Sequence, residues 1–104
     1  MEKQDAFTQA LLRAIDAAEQ EVGVRQPRLR RAVEQYGGIS AVQELCRRGQ
    51  VSDGFDQLAG LGKLALSAEA LAVSAKFNAC FTDDEVNHCF AQLCAANYFG
   101  KARF

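Results

Sequence analysis

The chain has 104 residues, 49% hydrophobic and 24% charged, with one proline and a formal net charge of −1. That length fits a single domain with a modest core, and the composition is globular rather than disordered. Near-neutral charge excludes a global field for nucleic acid or an acidic membrane. No apolar run approaches the roughly 18 residues of a membrane span. The start, MEKQDAF, lacks the basic-then-apolar order of a secretory leader, so a cytoplasmic protein without a membrane partner is expected.

The charge is unevenly spread. Residues 1–24 carry a local −3, residues 25–63 a local +3 and the remainder −1, which sets a basic middle between acidic ends.

Periodicity predicts about six short helices and an all-α bundle. Phe7, Leu11, Ala14, Ile15, Ala18 and Val22 form one apolar stripe of a first helix over 4–22. Its alanines, Ala10, Ala14, Ala17 and Ala18, keep the stripe thin enough for close approach by a neighbour. Pro27 suits the first position of a second helix, with Leu29, Ala32, Val33 and Tyr36 on its buried side and an Arg30–Glu34 pair on its surface. Ser40 and Gln43 suggest a capping box opening a third helix over 40–48. Val42, Leu45 and Cys46 turn inward there, while Arg47 and Arg48 fall in the last turn.

Ser52 reads as the cap of a fourth helix over 53–61, with Phe55, Leu58 and Leu61 inward. KLALS, residues 63–67, reads as a brief extended piece. Ser67 caps a fifth helix over 68–75, with Leu71, Ala72 and Val73 buried. Phe77 and Phe81 should plug the core from a tight connection. The sixth helix has the strongest start: Thr82 and Glu85 make a capping box, Phe81 and Val86 a hydrophobic staple, and Asp83, Asp84 and Glu85 suit the positive end of the dipole. Gly100 is its expected stop. No fixed-period repeat occurs.

FTDDEVNHCFAQLC, residues 81–94, gathers acids, the single histidine and two of the four cysteines. A zinc site needs close ligand pairs, and Cys46, Cys80, His88, Cys89 and Cys94 show none. With Val86 at zero on a helical wheel, Cys89, Phe90 and Leu93 fall near about 300°, 40° and 340°, His88 near about 200° and Cys94 near about 80°. His88 and Cys89 therefore diverge; Cys89 should be core and His88 solvated. Four cysteines allow three pairings, of which Cys80–Cys94 or Cys46–Cys89 could be close, but without a leader they are expected to stay reduced. No nucleophile, base and orienting group converge, and no phosphate-cradling glycine loop is present. The expectation is no enzyme, no catalytic residue, no metal and no cofactor.

RQPRLRRAVEQYGGISAVQELCRR, residues 25–48, reads as helix, glycine turn, helix. As a helix-turn-helix its reading positions would be Ser40, Ala41, Gln43 and Glu44, and Glu44 would repel phosphate. Contact through Arg25, Arg28, Arg31, Arg47 and Arg48 is the better expectation, with a protein partner first and nucleic-acid phosphates as the alternative.

YGGISAVQEL, SDGFDQL, LALSAEALAV and FNACFTDDEV together resemble a small bacterial helical domain family of unknown function, over about residues 29–98. The resemblance implies a helical fold and, for some members, a link to nucleic-acid processing or mobile elements. It supplies no catalytic residue. Leu58-Ala59 stands where the family has Leu-Trp, and the last helix is acidic then neutral where the family's is basic. Glu69 is the one matched residue that implies more than packing, beside its ordinary role at a helix N-terminus. The expected function is a non-enzymatic interaction module, a small phage or mobile-element inhibitor or accessory factor. The C-terminal Tyr98, Phe99 and Phe104 could also seek cover in a homodimer.

Overall fold

This computed structural model describes residues 2–96, with side chains from Ala6 onward. Among the described residues there are six α-helices and no strand. They are α1 (Glu2–Val22), α2 (Pro27–Tyr36), α3 (Gly38–Arg48), α4 (Phe55–Gly60), α5 (Ala68–Val73) and α6 (Asp83–Ala95), with 3₁₀ turns at Leu64–Leu66 and Asn78–Cys80. This is the compact all-α bundle that the periodicity predicts. No described helix is long and apolar enough to cross a membrane.

The stripe of α1 is the spine of the core. Phe7, Leu11, Ile15 and Ala18 are sealed from solvent, and burial of each large side chain is worth about 1.5–3 kcal/mol relative to exposure. Phe7 meets Phe77 and Phe81 edge-to-face, both at 5.2 Å between ring centroids, a geometry favoured by the ring quadrupoles. Leu29, Val33, Ala41, Val42, Ala68, Ala72 and Cys89 complete this cluster. A second cluster joins Ala18 and Val24 to Phe55, Leu58, Leu64 and Leu93.

Several starts and faces differ from expectation. The third helix begins at Gly38, two residues before Ser40, and has no side-chain cap of its own. Thr8 Oγ1 of α1 accepts the Gly38 N–H at 2.9 Å, so the cap comes from a neighbouring helix. Only glycine fits there: an added Cβ would lie 2.9 Å from Phe7 Cδ2 and 3.0 Å from the Thr8 Cα. Gln43, freed from capping, reaches Glu85 of α6.

The fourth helix starts at Phe55 behind Gly54, whose φ of +86° puts it in the left-handed region. Ser52 is buried and engaged elsewhere, and Leu61 lies exposed just beyond the end of α4. KLALS is not extended; Leu64–Leu66 winds into a 3₁₀ turn that buries Leu64. Arg30 does not pair with Glu34. It bonds Asp16 of α1 and approaches Glu19 at 3.8 Å, a contact between helices that spacing within α2 does not reveal.

The capping signals at Ser67 and Thr82 hold. Ser67 Oγ accepts the Ala70 N–H, and Thr82 and Glu85 form the reciprocal box. On α6, Cys89 and Leu93 are buried, but Phe90 is about half exposed rather than inward. Gly100 and the aromatic segment of Tyr98, Phe99 and Phe104 lie outside the described residues.

Candidate interaction groove

The segment that follows α3, residues 50–53, is held by three side-chain anchors. Glu69 of α5 accepts both the backbone N–H of Ser52, at 2.7 Å, and its hydroxyl, at 2.8 Å. His88 of α6 donates through Nε2 to the Gln50 carbonyl at 3.0 Å. Asp53 accepts the N–H groups of Arg28 and Leu29 at 3.0 and 3.1 Å, serving the first turn of α2. Gln26, which precedes that helix, makes no cap bond with its side chain.

Glu69 is buried because α5 is wrapped by the core. Its neighbours Ala68, Ala70 and Ala72 are all buried, so the one acid of this short helix has no route to solvent. Burial pushes the Glu69 carboxyl above its usual range, while the two Ser52 bonds and the charge of His88 pull it part of the way back. Glu69 stands in the first turn of α5, as expected of an acid at a helix N-terminus, and clamps Ser52 as well. His88, expected to be solvated, is half-buried and tied to the loop.

The anchored loop forms one wall of a groove of about 620 Å³ against α2 and α3. Leu29, Ala32, Ala41, Leu45 and Val51 make it apolar, and Arg28, Glu44, Arg48 and Asp53 stand among its polar lining. A shallower depression of about 260 Å³ lies against Arg31 and Gln35 and shares Arg28, Ala32 and Tyr36 with the groove. Tyr36, expected on the buried side of α2, is 63% exposed beside both.

The five arginines do not form one continuous stripe. Arg25 leans toward Glu19 at 3.6 Å. Arg47 and Arg48 both bond Glu44, and those two bonds hold the Glu44 carboxyl below its usual range. Arg28 and Arg31 make no ion pair among the described residues, and Arg28 lines both depressions. Arg47 faces a different cleft, between α3 and α6. Of the expected set, the groove gathers Arg28 and Arg48, with Arg31 next to them on α2.

Family models, curated proteins and solved structures offer no match to this chain. The reading of the groove therefore rests on its own chemistry.

The thiols are placed as follows. Cys46 Sγ lies 3.8 Å from Cys89 Sγ and donates to the Glu85 carbonyl at 3.6 Å. Cys80 is half-buried and Cys94 exposed. Among the described residues no three His, Cys, Asp or Glu side chains gather as metal ligands.

Sequence reasoning missed Ser52, Asp53 and Gln50 as parts of the site. Glu69 did leave a signal: an acid inside LALSAEALAV, where nearly every other residue is apolar, has little chance of facing water.

Proposed function

We propose that this chain is a non-enzymatic interaction module that docks an acidic, amphipathic segment of a protein partner. The groove between α2, α3 and the 50–53 loop receives the apolar side of that segment. Arg28 and Arg31 meet its carboxylates.

The observation that carries this reading is an apolar groove with a cation at its edge, Arg28, whose guanidinium makes no ion pair among the described residues. Arg28 stands in the first turn of α2, where the helix dipole opposes positive charge. Stability alone does not favour a cation there. Asp53 offsets the dipole through the two backbone N–H groups and leaves the guanidinium available. The neighbouring depression past Arg28 lengthens the surface beyond what a small molecule needs and suits an extended or helical segment. An anchored loop wall also lowers the ordering cost of binding.

Phosphate contact through the same arginines is the rival reading. Pairing of Arg25, Arg47 and Arg48 with Glu19 and Glu44 weakens it.

A displayed peptide library tests the proposal. Selection on the wild-type protein should enrich peptides that combine acidic residues with aromatic or aliphatic anchors. Arg28→Glu/Arg31→Glu should lower their affinity at least tenfold while leaving the melting temperature nearly unchanged. Equal binding by the reversed variant would refute this face. Tight oligonucleotide binding that collapses with salt would favour the phosphate reading.

A further inference from the structure

We propose that Cys46 and Cys89 are a site of oxidative modification, closed by a hydroperoxide into a disulfide that fastens α3 to α6.

The two sulfurs are 3.8 Å apart, on helices distant in sequence and adjacent in space. A disulfide needs about 2.0 Å, so side-chain rotation has to bring the sulfurs less than about 2 Å closer. Their surroundings divide the labour. Cys46 is half-buried and lines a polar cleft of about 610 Å³ with Gln43, Arg47, Glu85 and His88. An oxidant in that cleft reaches Cys46. Cys89 is sealed in the core and is not among the residues that line the cleft.

The ionisation order agrees with that division. Burial pushes the Cys46 thiol up, and the S–H of Cys89 pulls it back; the Glu85 and Glu69 carboxylates oppose its ionisation. Cys89 is pushed much further, by burial first and then by the negative charge of Cys46, Glu69 and Glu85. Cys46, the less buried of the two and the one on the cleft, is therefore the sulfur that meets the oxidant first.

The thiolate of Cys46 attacks one oxygen of the hydroperoxide. The O–O bond breaks, an S–O bond forms, and with hydrogen peroxide the departing hydroxide takes up the proton that the Cys46 thiol released and leaves as water. Cys46 is then a sulfenic acid. Cys89 Sγ attacks that sulfur and gives up its proton, and the hydroxyl departs as a second water. Two thiols lose two electrons to the peroxide, and one S–S bond remains. A raised Cys46 pKa makes the reaction slow at neutral pH and roughly tenfold faster for each pH unit above it. The site answers sustained oxidation rather than a brief pulse.

The test uses the full chain carrying Cys80→Ser and Cys94→Ser, which leaves only this pair. After treatment with hydrogen peroxide, the intact monomer should lose two hydrogens in mass and both alkylatable thiols. Its thermal midpoint should rise by more than about 5 °C, because the bond closes a long loop, and dithiothreitol should reverse both changes. Adding Cys89→Ala should stop the reaction at a Cys46 sulfenic acid that dimedone traps. Circular dichroism checks that each variant is folded. Two free thiols after prolonged exposure, cross-linked dimers alone, or over-oxidised Cys46 in the presence of Cys89 would each overturn the assignment.

Discussion

Glu69 and Ser52, 17 residues apart in sequence, form a buried two-point clamp in which each is only 2% exposed. The carboxylate fixes the loop by its backbone and its hydroxyl together. A buried charge is tolerated only when such bonds replace its water, so the clamp makes the loop conformation and the state of Glu69 interdependent.

Two variants separate the parts of that clamp. Glu69→Ala leaves the buried Ser52 N–H and hydroxyl unpaired and is expected to cost about 2–4 kcal/mol. Glu69→Gln keeps an acceptor for the N–H and removes the charge. The fold holds the Glu69 proton more tightly than the unfolded chain does. That group therefore adds stability below its unfolded pKa of about 4.3, and the contribution is lost as pH rises through the higher folded value. The stability of Glu69→Gln minus that of wild type should accordingly grow from pH 4 upward and level off above the folded pKa. Urea unfolding across that range measures it. A difference that does not change with pH would mean Glu69 titrates normally.

Asp53 links the loop to the groove from the other side. Its carboxylate accepts from Arg28 and Leu29, and α2 has neither a side-chain cap from Gln26 nor an acid in its first turn. Asp53→Ala should cost about 1–2 kcal/mol, the usual worth of an N-cap. Asp53→Asn keeps one acceptor and should cost less. Loss of the carboxylate also leaves Arg28 facing the positive end of the dipole unopposed. Adding Arg28→Ala to Asp53→Ala should therefore recover part of the loss, and a double-mutant cycle by chemical denaturation reads that coupling. Strict additivity would show that Asp53 and Arg28 act independently.

These anchors explain which parts of the molecule can be read from sequence. The start of α6 is legible because Thr82 and Glu85 are three residues apart and satisfy each other. The α1 stripe is legible because its spacing alone selects one face. Ser52 and Asp53 mislead for the same local reason: a Ser-Asp pair before an apolar helix resembles a cap. Their true partners, Glu69 and the start of α2, are 17 to 25 residues away. The start of α3 is displaced by a hydroxyl 30 residues upstream, on Thr8, and His88 finds its carbonyl 38 residues away, on Gln50. Helix periodicity places these groups on faces, and only the packing of the faces decides which meet. The charge run 25–48 falls on the two helices that wall the groove, but spacing does not show which arginines have carboxylates at hand.

Gln26 supplies a prediction of opposite sign. It is 3% exposed, and neither atom of its carboxamide has a hydrogen-bond partner among the described residues. Its aliphatic stem packs against Gly54, where an added Cβ would lie 2.9 Å from Gln26 Cγ. Hiding an amide without partners costs about 1–3 kcal/mol. Gln26→Met keeps the unbranched length and removes both polar atoms, so it should raise stability by about 1–2 kcal/mol. For a domain of this size that is a rise in melting temperature of roughly 4–16 °C. Gln26→Ala also removes the amide but leaves a void beside Gly54, and it should gain less or lose. Thermal and urea unfolding of the two variants check the ranking. If methionine destabilises the protein, the carboxamide has a polar partner in solution, and this end of α2 is held by more than Asp53.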